Sequence, residues 1–200
     1  PIQFCEKYCQ YVDEGYTDVI HVPINRSGSS TYNNAVMAQG MLREERPEHH
    51  LNIHLLDPHT YSMVFGWYLC EMARKLQNGA ELRHVISEFE TQMNKMEVIL
   101  GPYSLKQMKK SGRISAAAAV MGELMGIRPI ITLIDGKTRV ESKVRGDDKV
   151  IPAMIDLCKK RTEGVEDFDY MIGHTSIPQA AELEKACRKA FGKAPLVTFN

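Results

Sequence analysis

Apolar positions along the chain switch between two spacings. Phe4, Tyr8 and Val12 recur at helical intervals and predict a first helix, which Gly15 ends. Asp18–Ile24 (DVIHVPI) is a short apolar run of the kind that forms a buried strand. A polar turn, Asn25–Ser30, follows, then a helix over Thr31–Arg46 that Pro47 closes. A second strand is predicted over Leu51–Leu56, a long helix over Tyr61–Asn78 with Gly79 as its stop, another helix over Glu81–Met96, and a third strand over Val98–Leu100. Beyond Gly101-Pro102 the pattern changes. A short basic helix (Leu105–Lys110) and an Ala-rich helix (Ser115–Gly126) precede Pro129–Lys143, which alternates across Asp135-Gly136 and reads as a β-hairpin. Helix (Asp147–Gly164), strand (Tyr170–His174), helix (Pro178–Gly192) and strand (Leu196–Phe199) complete the pattern.

This rhythm predicts an α/β protein of two domains. The first, residues 1–101, carries a largely parallel sheet with helices; the second, residues 102–200, carries a mixed sheet with the hairpin. A chain of 200 residues has room for both. Hydrophobic residues make up 44% and charged residues 25%, a globular balance that argues against disorder. Lys plus Arg and Asp plus Glu each number 25, so no net positive field gathers nucleic acid. The greasiest stretch, Ile114–Ile134, is broken by Glu123, Arg128 and Pro129 and predicts no membrane span. Five cysteines, with no CxxC pair, read as free and mostly buried thiols of a reducing, cytoplasmic compartment. Cys5 and Cys9 share one helix face.

The turn Asn25-Arg26-Ser27-Gly28-Ser29-Ser30-Thr31 holds the most chemistry. A strand ends there, hydroxyls and an Arg crowd the turn, and a helix begins. Unpaired N–H groups and the positive end of the helix dipole suit an anion; simple N-capping by Ser29 or Ser30 accounts for the same residues. Gly136-Lys137-Thr138 is no phosphate loop, because Ile131 stands where a Gly is required and a strand follows. His49, His50, His54 and His59 alternate along a loop and strand, which favours solvated rings over a metal site. Asp18, Glu44 and Asp57 make no carboxylate pair for acid–base work. Met37, Met41, Met63, Met72, Met121 and Met125 fit core filling; a deformable tunnel for a flexible apolar guest is the alternative. Lys106, Lys109, Lys110, Arg113, Lys143, Arg145 and Lys149 form a basic stretch, either a solvated face or a docking surface for an acidic partner.

Taken in order, these segments resemble the DegV family of bacterial fatty-acid-binding proteins. The likeness rests on Phe4, Tyr8, Gly15-Tyr16 and Asp18-Val19-Ile20, then on Ser29-Ser30-Thr31-Tyr32 beside the family's Ser-Gly-Thr-Tyr. Asp57 and Ser62-Met63 continue it. Ser111-Gly112-Arg113-Ile114-Ser115 is similar to Gly-Gly-Arg-Ile-Ser, and Ile127-Arg128-Pro129-Ile130 to Ile-Lys-Pro-Ile. Asp135-Gly136 and Lys143-Val144-Arg145-Gly146 follow. The resemblance implies a carrier rather than a catalyst, with no metal or cofactor. One long-chain fatty acid would lie with its tail in an apolar tunnel and its carboxylate at Ser29, with Ser30 and Arg26 beside it. A fatty-acid kinase would be the partner that phosphorylates the presented carboxyl group. Ser30 replaces a family Gly, Gly28 an apolar residue, and Asn25 and Arg26 stand where serines are common. The family's Thr-Ser-x-Pro-Ser and His-x-Gly-Pro-like segments would lie outside residues 1–200, so the resemblance implies a fragment that holds lipid weakly or not at all alone. The competing reading is an enzyme in which Ser29 transfers acyl or phosphoryl groups; it needs a base, and His21 is the nearest histidine in sequence. A purely structural interaction domain is the third reading.

Overall fold

The computed structural model describes residues 1–111, 126–175 and 177–200. It is an α/β protein whose described residues divide into two compact units: Pro1–Met96 with Asp135–Lys137, and Glu97–Ile134 with Thr138–Asn200.

The first unit is built on helix α1 (Ile2–Asp13), strand β1 (Asp18–His21), helix α2 (Thr31–Glu45), strand β2 (Asn52–Leu55), helix α3 (Met63–Gln77) and helix α4 (Leu82–Lys95). Both strands are shorter than their apolar runs. Pro23 falls inside the first run and offers no N–H to a ladder, so β1 ends before it. β1 and β2 run parallel, with Asp18 opposite Asn52 and His21 opposite Leu55. Parallel neighbours need a crossover connection, and α2 supplies it. Two apolar clusters cover the pair. Cys5, Tyr8, Ala38, Leu42 and Leu51 join α1 and α2 to the strands; Leu56, Met72, Val85, Phe89 and Met93 do the same for α3 and α4. Glu81 caps α4, its carboxylate accepting from the N–H groups of Arg83 at 3.1 Å and His84 at 3.0 Å.

The second unit contains strand β3 (Val98–Leu100), helix α5 (Lys106–Ser111), strands β4 (Ile127–Ile134) and β5 (Lys137–Arg145), a 3₁₀ turn at Asp147–Lys149, helix α6 (Val150–Arg161), strand β6 (Ile172–Gly173), helix α7 (Gln179–Phe191) and strand β7 (Thr198–Phe199). β3 is antiparallel to β4, Val98 opposite Leu133, so it does not extend the parallel β1–β2 pair. The strand order is β3-β4-β5. Residues 129–133 are buried, while the edge strand β5 is studded with exposed charge, which blocks pairing by another chain. The hairpin turns at Asp135 and Gly136 with φ of 49° and 71°, the left-handed pair that a two-residue turn needs. β6 and β7 form a separate parallel pair. Ile151, Ile155, Ile172 and Cys187 make this unit's core cluster. The Ala-rich helix expected over Ser115–Gly126 and most of the Ser111–Ser115 motif lie outside the described residues.

The five cysteines are free thiols, but only Cys5 and Cys187 are buried. Cys9 and Cys158 are partly covered and Cys70 is exposed, so the expectation of mostly buried thiols is corrected. Burial, helped by Cys9 and Glu45, pushes the Cys5 thiol up to about 11. Among the described residues no helix is long and apolar enough to cross a membrane.

His21 ties α1 to β1. The Tyr8 hydroxyl lies 2.5 Å from His21 Nδ1, and Phe4 meets the same ring edge-on at 4.8 Å. Burial raises the Tyr8 phenol to about 12 and lowers His21, so Tyr8 donates to a neutral imidazole. A histidine depressed in the folded state stabilises the fold above its unfolded pKa and loses that contribution as pH falls. The urea midpoint is therefore expected to drop between about pH 7 and pH 5, and His21→Asn to flatten that drop. Equal slopes in the two proteins would remove His21 as the cause.

Candidate functional site

In a parallel β–α–β unit the loops at the carboxyl ends of neighbouring strands lie side by side, where α/β proteins place their ligands. Here these loops are residues 22–30 after β1 and 56–62 after β2. Asn25 organises the first. It is 1% exposed, and its side-chain Oδ1 accepts from the Ser27 N–H at 2.8 Å, the Ser27 hydroxyl at 2.7 Å and the Gly28 N–H at 3.0 Å. Its own N–H donates to the Thr60 carbonyl at 3.1 Å, which stitches the two loops together. Asp57 adds a second stitch: Oδ1 accepts from the His59 N–H at 3.0 Å and the Arg26 N–H at 3.4 Å.

Close approach explains the glycines. A Cβ on Gly28 would coincide with the Tyr61 ring and hydroxyl, and one on Gly136 would strike the Asn25 side chain. Tyr61 also donates to the Gly136 carbonyl at 3.4 Å, and the Ser27 hydroxyl lies 3.3 Å from the Asp135 carbonyl. The 135–137 turn thus packs on the Asn25 loop as part of the first unit. Gly28 stands where the resembled family has an apolar residue, and the Tyr61 ring takes the space such a side chain would fill.

Ser29 and Thr31 meet hydroxyl to hydroxyl, and Ser29 Oγ also accepts from the Thr31 N–H at 3.2 Å. Two facing hydroxyls own two protons, and one suffices to bridge them. The second remains available to donate to an anion. The first turn of α2 begins at the same point, with the Thr31 N–H already held by Ser29 and the positive end of the helix dipole beside the pair. Ser30 is the residue before α2 and is exposed, but its side chain makes no capping bond. Arg26 is engaged by other groups: Nε lies 3.5 Å from Asp57 Oδ2 and the guanidinium carbon 5.9 Å from the Tyr32 ring centroid, with the side chain 66% exposed. The three residues singled out from sequence therefore sit on one loop, yet only Ser29 is held in a hydroxyl pair. The base that an acyl-transfer enzyme requires does not come from His21 Nδ1, which Tyr8 occupies.

Four contributors escape a reading of the sequence. Asn25 stands out there only as a departure from a serine; its i+2 and i+3 spacing to Ser27 and Gly28 is the signature of an Asx turn. Asp57 is legible as a polar residue at a strand end, but not as a tie to Arg26. Tyr61 leaves no signal. The Thr60 hydroxyl, buried in the second loop, has no hydrogen-bond partner among the described residues. The other candidates disperse. His54 pairs with Asp18 at 2.9 Å, Met72 fills the core, and Met37 and Met63 are exposed. Met121 and Met125 lie outside the described residues. A groove between α3 and α4, lined by Tyr68, Met72, Val85 and Phe89, holds about 150 Å³, below the roughly 300–1,000 Å³ of ordinary ligand sites.

Known proteins share this fold. The profile of the family described as "Uncharacterised protein, DegV family" matches residues 1–199. A DegV domain-containing protein of Clostridium perfringens is 29% identical over 157 residues, which cover 78% of this chain and 53% of the relative. Another, from Clostridium acetobutylicum, is 27% identical over 196 residues, 96% of this chain and 68% of the relative. A stearic acid-binding protein from Eubacterium ventriosum superposes with a TM-score of 0.83 at 21% identity, over 98% of this chain and 67% of that one. A fatty acid binding DegV family protein from Streptococcus agalactiae gives 0.81 at 25% identity, over 100% and 68%. The chain spans about half the length of several of the curated relatives it matches. With the family profile covering residues 1–199, and the same α/β fold in its structural neighbours, the chain belongs to the DegV family.

Proposed function

We propose that this chain supplies the carboxylate end of a site for a long-chain fatty acid and acts as a carrier rather than a catalyst. The observation that carries the reading is the Ser29–Thr31 hydroxyl pair at the carboxyl ends of β1 and β2, beside the first turn of α2. One hydroxyl proton and the positive end of the α2 dipole give a carboxylate neutral and dipolar partners at one point. One structural relative is described as binding stearic acid and another as loaded with heptadecanoic acid, which supports this ligand class.

In this reading Ser29 contacts the head group directly, while Ser30 and Arg26 flank it. Arg26 shares its charge with Asp57, so it steers the acid more than it clamps it. A loosely held, neutral-bonded carboxylate remains accessible, as presentation to a fatty-acid kinase in the cytoplasm requires. The carrier has two domains and holds the tail in an apolar tunnel. Burying about 14 methylenes at ~0.8 kcal/mol each contributes on the order of 10 kcal/mol, against about 1 kcal/mol for each neutral hydrogen bond at the head. The tail drives affinity and the hydroxyls set orientation.

Two outcomes are expected. Ser29→Ala weakens fatty-acid binding by only about fivefold, the equivalent of one hydrogen bond, in a fluorescent fatty-acid displacement titration, but slows phosphorylation of the bound acid by kinase much more. Complete loss of lipid by this variant would invert that division of labour. Asn25→Ala releases both loops at once. It is expected to cost about 1–3 kcal/mol in urea unfolding and to lower lipid retention, read by denaturing mass spectrometry, more than Ser29→Ala does. Unchanged stability and retention would show that Asn25 does not hold the site together.

A further inference from the structure

A second cluster forms at the far end of α2 from the hydroxyl turn, around the helix's last residue. Cys5 and Cys9 are one helical turn apart on α1, and i, i+4 spacing puts both sulfurs on one face. Glu45 reaches them from the end of α2. Cys5 Sγ lies 3.6 Å from Glu45 Oε1 and Cys9 Sγ 3.6 Å from Oε2, and the ligand atoms of all three fall within 4.8 Å of one another.

Each separation is that of a thiol donating to one carboxylate oxygen, Cys5 to Oε1 and Cys9 to Oε2, and each is also close to the sulfur–oxygen edge of a zinc polyhedron. Zinc bonds of about 2.3 Å to sulfur and about 2.0 Å to oxygen, at tetrahedral angles, give a sulfur–oxygen edge of roughly 3.5 Å. A carboxylate at the negative end of a helix is also poorly placed without a cation, and among the described residues no Lys, Arg or His forms an ion pair with Glu45. The burial is graded: Cys5 is enclosed at 1% exposure, Cys9 is partly covered and Glu45 is exposed, so a cation has both a shielded ligand and an open approach.

We propose that Cys5, Cys9 and Glu45 form a three-ligand site for a thiophilic divalent cation, zinc by preference, with water in the fourth position. The donor set excludes magnesium and calcium, which require oxygen throughout. On binding, two S–H bonds break, two sulfur–metal bonds form, and two protons pass to water. The site holds α1 against the end of α2 and is independent of the lipid reading.

The test uses the whole chain, reduced and stripped of metal. Titration with Co(II) is expected to give thiolate charge-transfer absorption and tetrahedral visible bands that saturate at one equivalent, and Zn(II) to displace them. Cys9→Ser lowers the charge-transfer absorption to that of one thiolate, and Glu45→Gln weakens zinc at least about tenfold in competition with a chelating dye. Cys70→Ser, altering the exposed thiol, leaves both unchanged. Should Cys9→Ser fail to fold by circular dichroism, zinc protection of Cys9 against iodoacetamide in the unaltered chain, read by mass spectrometry, decides the same question. Absence of charge transfer, equal zinc affinity in Glu45→Gln, no protection of Cys9, or a Cys5–Cys9 disulfide forming where zinc was offered would each overturn the proposal.

Discussion

The loop edge of the first unit depends on one buried amide. Parallel strands bring two loops together at their carboxyl ends, but a loop that must cross buried ground needs partners for its backbone. Asn25 supplies them, satisfying two N–H groups and a hydroxyl of its own loop through one oxygen, while its N–H bonds the neighbouring loop. An ordinary serine reaches one or two of these groups. The longer amide meets all three, and Ser29 is left to bond Thr31 alone, accepting from its N–H and meeting its hydroxyl. The Gly136 backbone then closes over Asn25 because nothing but hydrogen stands between them.

That arrangement separates two roles that sequence alone runs together. Hydroxyls before a helix read equally as caps and as an anion site. In the structure the residue preceding α2, Ser30, makes no capping bond, and Ser29 engages Thr31. Ser29 thus does both, by different atoms: its oxygen takes the Thr31 N–H at the start of the helix, while the hydroxyl pair keeps one proton to donate. Arg26, the obvious charge, is drawn to Asp57 and spread over Tyr32. A full cation clamped on a carboxylate holds it at a cost of dehydration. A hydroxyl and dipoles ask for less, which suits the ligand of a carrier that must hand it on.

Helices are legible in this sequence because their apolar faces repeat over several turns and Gly or Pro ends them. Phe4, Tyr8 and Val12 do lie along one helix, and Gly192 does end α7 in the left-handed conformation. Strands are harder. DVIHVPI reads as one run, yet Pro23 cuts the ladder after His21. β3 reads as the next member of a parallel sheet, because its apolar triplet carries no information about which neighbour it will pair with; it pairs instead with β4, antiparallel. The hairpin is legible because Asp-Gly encodes two left-handed residues. At the site, Ser29 is visible through its company of hydroxyls. Tyr61 acts on Gly136, 75 positions along the chain, and Asn25 on the second loop, and local pattern does not record such contacts.

Helix α2 ties these observations together. Its first turn faces the hydroxyl pair, and its last residue faces two thiols, so the two ends meet chemically opposite company. The dipole suits the first end and works against the Glu45 carboxylate at the second. Partial positive charge at the N-terminus favours an anion, and partial negative charge at the C-terminus favours a cation. An acid at one end and a divalent ion at the other would each lower the energy of the same helix, whose buried residues Ala35, Ala38 and Leu42 fix it in the core. A site at either end is thus a means of stiffening the element that presents the other.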